Sequence, residues 1–353
     1  MTLRRLIHAW NEFFFKPQSP LPVCLFRIFY GLIVLADLIL LKPEWLMWYG
    51  PHAVTSLATT HKYYHGMVMS LFEVMPQTDR AMNVFFWVFL VCTVCLIVGF
   101  MSRFNSVAVY LCLSSIQMRN GFILNSGDTL MLVCGFFLIF APAGAMLSVD
   151  HWLRARSGKT DATPPMCSPW AQRMLQIQTG VVYFATFYWK SMGLLWINGT
   201  AVYYALNLQD FKHFPVPPLH SMFIIRSLTW GTLVIEFALG VLIWFKDVRY
   251  PVLLAGVLLH LGIEYAMNIP LFEWMIMATY INFVDPEDLS KWWKWFQGIP
   301  TKLRGKIANL MEPGQESVTV AGVARIGKEH VREMDATSFD PCQERTPRLN
   351  PAD

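Results

Sequence analysis

Charged residues are scarce in this sequence of 353 residues. Asp, Glu, Lys and Arg make up 15% of it, whereas a soluble domain carries about 25%. Hydrophobic residues account for 55%, and the sequence has no basic groove with interleaved aromatic residues. This composition excludes a soluble domain and gives no sign of a nucleic-acid partner. We expect an all-α, polytopic membrane protein whose surroundings are the lipid bilayer.

The sequence also lacks a disulfide framework, a metal motif and a fixed-period repeat. Five of the seven cysteines lie inside apolar runs, and Cys92 and Cys95 form a C-x-x-C in the middle of one such run. We interpret these two as small core residues. No second His or Cys stands at ligand spacing from His260 on its helix, so no metal is expected. The missing repeat argues against a transporter built from inverted halves.

Apolar segments close to the length of about 20 residues that crosses a bilayer predict a bundle of about eight transmembrane helices. Residues 1–16 have the apolar spacing of an amphipathic surface helix. We expect an exposed linker at 148–169, and an interfacial anchor followed by a disordered polar tail at 287–353. The predicted spans are 23–41, 81–100, 105–118, 129–147, 170–189, 221–245, 250–267 and 269–284.

Connections rich in Lys and Arg alternate along the chain. By the positive-inside rule, this alternation predicts that both termini face the cytoplasm. The opposite membrane face then collects polar residues from several spans, and we expect a site there. These residues are Arg119, Asn125, Asp128, Lys190, Trp196, Asn198, Lys212, His213, Glu264, Asn268 and Glu273.

Lys190 follows a run of apolar and aromatic residues. An ionisable side chain at membrane depth is costly, so it snorkels to the interface, pairs with a partner or has a function. A lysine that is desolvated in an apolar pocket loses its proton more readily and can act as a base toward a phenol or quinol. Tyr188, Trp189 and Trp196 would then form apolar walls for an aromatic ring. The residues alone leave both snorkelling and base catalysis open.

Two other pairs of polar residues are candidates for the same pocket. His260 and Glu264 are four apart, so they share one helix face. Such a pair either holds the histidine in one tautomer and raises its basicity or ties helices together. Asn125 and Asp128 precede a predicted span, either as helix caps or as a polar floor of the pocket.

Further polar residues have less specific interpretations. Glu236, and Arg27 with Asp37, are expected to form pairs inside the bundle. Asn198 begins an Asn-Gly-Thr sequence that matches a glycosylation acceptor. Alternatively, the feature that matters in this stretch is the Trp-x-x-Gly spacing between Trp196 and the glycine that follows Asn198.

Four motifs occur in a recognisable order. They are F-R-I-F-Y-G-L in the first predicted span, L-N-S-G-D-T-L before the fourth, W-I-N-G after Lys190, and H-L-G-I-E-Y-A-M-N-I-P-L-F-E-W near the end of the membrane region. Together they resemble the vitamin K-dependent gamma-carboxylase family. Its membrane part is shared with many bacterial proteins as the horizontally transferred transmembrane (HTTM) domain, and here the resemblance covers residues 20–286.

The resemblance implies a chemistry. In the carboxylases a lysine base deprotonates reduced vitamin K, oxygen adds, and the resulting strong base removes the γ proton of a glutamate, which captures carbon dioxide. Lys190 looks like that lysine. The resemblance thus implies vitamin K hydroquinone or a related quinol as cofactor, a quinone-type lipid as partner and a peptide or protein as substrate. The substrate-binding candidates are Asn125, Asp128, Trp196, Asn198, His260, Glu264 and Asn268.

Two departures from the family pattern narrow this expectation. Residues 125–128 read Asn-Ser-Gly-Asp, where the carboxylases have Asn-Asn-His-Ser, a segment linked to the carbon dioxide step. The tail of about 55 residues is too polar to form a core in place of the large lumenal domain of the carboxylases. We therefore expect quinol oxidation to be retained more readily than glutamate carboxylation. The alternative is a non-catalytic membrane protein that binds a peptide or lipid.

Overall fold

The computed structural model describes residues 3–63, 70–158, 165–216, 219–292 and 295. Within these ranges the chain is helical, and its only β-type pairings are two isolated bridges. Most of the predicted anchor and tail at 287–353 lies outside the described residues. The predicted surface helix at 1–16 corresponds to a helix at Leu3–Phe15.

Fourteen α-helices are described, with short 3₁₀ turns between some of them. They are α1 (Leu3–Phe15), α2 (Leu21–Leu41), α3 (Trp45–Tyr49), α4 (Leu57–Tyr63), α5 (Asp79–Val98), α6 (Ser102–Arg119), α7 (Ser126–Phe140), α8 (Val149–Arg156), α9 (Trp170–Ser191), α10 (Leu194–Ile197), α11 (Ala201–Asn207), α12 (Met222–Val241), α13 (Lys246–Ala266) and α14 (Phe272–Thr279).

Among the described residues, four helical segments are long and apolar enough to cross a membrane. They are Leu21–Tyr49, Asp79–Val98, Met222–Trp244 and Lys246–Ala266. Helix α7 is apolar but has 15 residues, while α6 and α9 are long and less apolar. The prediction of an all-α membrane protein is confirmed, and the count of eight spans stays a prediction.

Two connections differ from the sequence prediction. Helix α7 ends at Phe140, short of the predicted end of the fourth span, because Pro142 follows and its preceding residue Ala141 is extended. The segment expected to be an exposed linker begins with helix α8. Its start is stabilised by Ser148, whose Oγ accepts a hydrogen bond from the amide of His151 at 2.9 Å.

Arg27 joins three segments at one end of the bundle. Its guanidinium is buried and donates to the carbonyl oxygens of Ala143 and Leu147 at 2.6 Å and of Ile97 at 3.3 Å. The expected pair with Asp37 is wrong. Ten residues of one helix separate these two by about 15 Å along its axis, and carbonyl oxygens from other segments supply the partners instead.

Asp150 on α8 fixes the turn between α5 and α6. Its carboxylate accepts hydrogen bonds from the amides of Met101 and Ser102 at 2.8 and 2.7 Å and from the hydroxyl of Ser102 at 2.7 Å. Burial raises the pKa of Asp150, but these hydrogen bonds outweigh it and hold the pKa below the ordinary value. The carboxylate therefore acts as a cap for α6 from outside that helix.

Helices α9 and α12 approach each other closely. A Cβ atom at Gly240 would lie 3.1 Å from the backbone nitrogen of Phe184, a contact typical of small residues between membrane helices. Because the two helices run antiparallel, residues that follow Phe184 face residues that precede Gly240. This geometry brings Lys190 beside Glu236.

We expect Arg27→Met to lower the free energy of unfolding in detergent by about 2–5 kcal/mol, because one buried and two partly buried carbonyl oxygens lose a charged donor. Denaturant unfolding of the purified variant measures this loss. Arg80→Met, at an exposed position, is the control and should stay within about 0.5 kcal/mol of the wild type. Equal stability of the two variants would contradict the structural role of Arg27.

Candidate functional site

One face of α9 carries polar side chains at helical spacing inside the bundle. The two glutamines on this face donate to the carbonyl oxygen of Asn282 at 2.9 and 2.6 Å. Polar groups in a membrane helix normally face the bundle interior, and this face does so from one end of α9 to the other. Its members are Gln172, Gln176, Thr179, Tyr183 and Lys190.

Lys190 is paired with a carboxylate. Its Nζ donates to Oε1 of Glu236 on α12, where the lysine side chain is 31% exposed and the glutamate 7%. The ammonium also lies 5.0 Å from the ring centre of Trp196, within the range of a cation–π contact. Of the interpretations open to the sequence, the structure shows a paired lysine. It also supplies the partner expected for Glu236.

A second polar group lies deeper along the same face. His260 on α13 is hydrogen-bonded through Nδ1 to Oε2 of Glu273 on α14, and its Nε2 lies 2.5 Å from the hydroxyl of Tyr183. The hydroxyl of Tyr183 is also hydrogen-bonded to that of Tyr280. All four side chains are buried. We call Tyr183, His260, Glu273 and Tyr280 the His–Glu cluster.

The expected pair of His260 with Glu264 is therefore wrong. Glu264 accepts a hydrogen bond from the indole nitrogen of Trp274 at 3.0 Å instead, while His260 binds Glu273. The helical spacing was correct, but spacing along one helix says nothing about a carboxylate on a neighbouring helix. Because α13 turns His260 toward α9 and α14, Glu273 is the acid within reach.

Asn125 and Asp128 act as a capping box for α7. The side-chain oxygen of Asn125 accepts from the amide of Gly127 at 2.5 Å, and Oδ2 of Asp128 accepts from the amide of Asn125 at 2.7 Å. Both side chains are thus used by the backbone. Of the two interpretations from sequence, the structure shows the capping role.

The same cap supports the turn that carries Glu273. A Cβ atom at Gly127 would lie 3.0 Å from the Cα of Phe272, and Nδ2 of Asn125 donates to the carbonyl oxygen of Pro270 at 3.5 Å. The start of α14 therefore packs directly on the start of α7. This contact helps to fix the position of Glu273 on α14.

Several predicted site residues lie away from both polar groups. Asn198 and Asn268 are exposed, and the amide of Asn268 donates to the carbonyl oxygen of Phe211 at 2.7 Å. Trp189 and Tyr188 are 71% and 46% exposed, so they face outward and do not form walls beside Lys190. Of the predicted aromatic walls, only Trp196 contacts the lysine.

The Lys190–Glu236 pair and the His–Glu cluster belong to one polar region. Seven residues of α9 separate Lys190 from Tyr183, a rise of about 10 Å on one helix face. Glu236 interacts electrostatically with both Tyr183 and Tyr280. One oxygen of Glu236 and one of Glu273 are buried without a hydrogen-bond partner among the described residues. Each can accept a hydrogen bond from a bound hydroxyl or water.

No group of three or more His, Cys, Asp or Glu side chains in the described ranges is arranged to hold a metal ion. An apolar groove of about 560 Å³ runs between α2, α13 and α14, along the two helices that carry His260 and Glu273. Its walls include Phe29, Leu261 and Trp274. Such a groove is chemically suited to an apolar chain.

Sequence patterns alone did not identify the acidic and phenolic partners of the site. Glu236 was expected to pair without a named partner, Glu273 was noted only by its membrane face, and Tyr183 and Tyr280 were not singled out. The available signal was spacing, since Tyr183 lies seven residues before Lys190 and thus on the same helix face.

We expect a double-mutant cycle to separate the two candidate partners of His260. Substituting His260 by Ala and Glu273 by Gln, singly and together, should give a coupling energy of about 1–3 kcal/mol, because the two side chains share a buried hydrogen bond. The matched cycle with Glu264→Gln should give less than about 0.5 kcal/mol. The measurement is the free energy of unfolding in detergent. A larger coupling energy of His260 with Glu264 than with Glu273 would refute the arrangement described.

Comparison with known proteins agrees with this architecture. A family model described as "HTTM domain" matches residues 15–288, which include α2 through α14. A relative from Bacillus subtilis (strain 168), described as "Uncharacterized protein YitO", is 23% identical over 234 residues, covering 63% of this chain and 73% of that protein. No solved structure is significantly similar to the chain. Because the family match spans most of the sequence and the whole membrane region, the protein belongs to the HTTM family.

Proposed function

We propose that this protein is a membrane enzyme that resembles the vitamin K-dependent gamma-carboxylases and removes a proton from a quinol-type lipid. The base is Lys190. The observation that carries the proposal is the pairing of Lys190 with the buried carboxylate of Glu236 beside the ring of Trp196. Membership of the HTTM family supports the same assignment.

To act as a base, Lys190 must first give up a proton, and the carboxylate of Glu236 is the acceptor to which its ammonium is hydrogen-bonded. One proton can lie on Lys190 or on Glu236, and the net charge of the pair is zero in both arrangements. Burial weakens the preference for two full charges, since removing them from water is costly. The amine form can then accept a proton from a weakly acidic hydroxyl.

The residues around the pair suit a flat aromatic alcohol. Trp196 offers an aromatic face next to the amine, and the unpartnered oxygen of Glu236 can accept a hydrogen bond. A reduced quinone of the vitamin K type supplies an acidic phenolic hydroxyl and reactivity toward oxygen. The apolar groove between α2, α13 and α14 matches the chemistry of its tail.

The His–Glu cluster extends the path for protons into the bundle. When Nδ1 of His260 donates to Glu273, its Nε2 is free to accept from the hydroxyl of Tyr183. Tyr183 is in turn hydrogen-bonded to Tyr280. We propose that this chain of groups positions His260 and holds or releases a proton during turnover.

Carboxylation of a glutamate substrate is not part of the proposal. The segment 125–128 lacks the family histidine, and its Asn125 and Asp128 side chains are engaged in capping α7. If the protein also carboxylates a peptide or protein substrate, the assay described next detects it as label in the peptide.

Lys190→Met should abolish epoxide formation from reduced vitamin K by the purified protein, because the base is removed. The assay contains oxygen, labelled carbon dioxide and a glutamate-containing peptide, and it measures both epoxide and label. Lys212→Met is the matched control at an exposed lysine and should keep wild-type activity. A folded wild-type protein that forms no epoxide and incorporates no label would refute the proposal.

A non-catalytic membrane protein that binds a peptide or lipid is the second candidate. It is favoured by the fact that Lys190 lines neither the 560 Å³ groove nor a 700 Å³ cavity at the other end of the bundle. In that case the ion pair only ties α9 to α12. Lys190→Met would then lower stability, and the double variant Lys190→Met/Glu236→Leu would restore it, since an apolar pair can replace a buried ion pair.

We propose further that the protein is multi-pass with both termini in the cytoplasm, as the distribution of Lys and Arg indicates. Single cysteines introduced at Arg103 and at Lys212, in a variant without native cysteines, should react with a membrane-impermeant maleimide from opposite sides of the membrane. Both positions are exposed, so labelling depends on sidedness. Labelling of both from the same side would contradict this topology.

A further inference from the structure

A cavity of about 700 Å³ lies at the Arg27 end of the bundle. Its walls are the turn between α5 and α6, the connection from α7 to α8, and α8 itself. Helix α9 begins near this end, and Lys190 lies at its other end. The 22 residues of α9 span about 33 Å. The cavity is therefore separate from the polar region that contains Lys190.

Two arginines line the cavity, Arg103 and Arg154, and neither forms a salt bridge with a carboxylate of the described residues. Arg154 donates to the backbone carbonyl oxygens of Asp150 at 3.1 Å and Gly144 at 2.8 Å. The side chain of Arg103 is exposed and forms no hydrogen bond or ion pair with the described residues. Both guanidinium groups thus keep donors free for an anion.

Asp150, the acid among the described lining residues, offsets only part of this charge, since it interacts electrostatically with Arg154 but accepts no hydrogen bond from either arginine at its carboxylate. All three hydrogen bonds to the Asp150 carboxylate come from Met101 and Ser102. Behind the wall, Arg27 adds a third positive charge through its contact with the carbonyl oxygen of Ala143, itself a lining residue. The net charge around the cavity is therefore positive.

The rim of the cavity is apolar and exposed. Met101, Phe104 and Leu153 line it with large exposed side chains. Next to Leu153, the exposed ring of Trp152 lies 5.3 Å from the guanidinium carbon of Arg156. Tryptophan and arginine side by side on a short helix are typical of the membrane interface.

We infer that this cavity binds an anionic glycerophospholipid, with the phosphate at Arg103 and Arg154 and the acyl chains along Phe104 and Leu153. Charge and apolar surface are both needed for this assignment. A soluble phosphate would leave the rim exposed, and a zwitterionic lipid would leave the positive charge unmatched. The site is independent of the proposed enzymatic activity.

The test compares thermal unfolding of the detergent-purified protein with dioleoyl phosphatidylglycerol, dioleoyl phosphatidylcholine or glycerol phosphate. Only phosphatidylglycerol should raise Tm clearly. Native mass spectrometry should show phosphatidylglycerol retained by the wild type. The Arg103→Gln/Arg154→Gln variant should bind it more weakly by roughly fivefold for each arginine.

The matched control is Arg4→Gln/Arg5→Gln, which removes the same charge from exposed positions on α1 outside the cavity lining and should bind like the wild type. Arg103→Gln alone should still weaken binding, and it is expected to fold because Arg103 supports no other residue. Unchanged binding by the cavity variants, equal loss in the control, or an equal Tm shift with phosphatidylcholine or glycerol phosphate would overturn the inference.

Discussion

A polar group inside a membrane bundle must find its partner within the protein, because lipid offers none. The described helices are arranged around a few such partnerships. Arg27 is held by three carbonyl oxygens from two other segments, Lys190 by Glu236, and His260 by Glu273. The first two contacts join segments that are distant in sequence, and the third joins the consecutive helices α13 and α14. The pairing of buried polar groups therefore decides which helix faces meet, and the apolar surface fills the space around them.

This constraint explains why α9 lies at the centre of the site although it is less apolar than its neighbours. Its polar face turns inward and is satisfied by α12, α13 and the 3₁₀ turn Tyr280–Phe283 that follows α14. Gly240 lets α12 approach closely enough for Glu236 to reach Lys190. A helix can thus carry glutamines, a tyrosine and a lysine and still belong to the membrane region, provided that its neighbours bring acceptors and donors to the same face.

The two ends of the bundle differ in chemistry. At one end, Lys190 and Glu236 form an ion pair, with Trp196 beside them. At the other, Arg103 and Arg154 line a cavity whose acid is already engaged. The proposed proton chemistry needs a carboxylate that shares a proton with the base. The proposed lipid site needs arginines that are not held in a salt bridge by a carboxylate. The same residue types serve opposite purposes because their partners differ.

The sequence alone determined the all-α membrane class, the positions of most long helices, the family resemblance and the prominence of Lys190. These features are local, since runs of apolar residues and an ionisable side chain among them can be recognised without knowing what packs against them. Tertiary structure alone decided the partners. Lys190 and Glu236 are 46 residues apart, and Tyr183 and His260 are 77 apart. The expected pair of His260 with Glu264 was wrong because helical spacing specifies neighbours on one helix, while packing against α14 supplied Glu273.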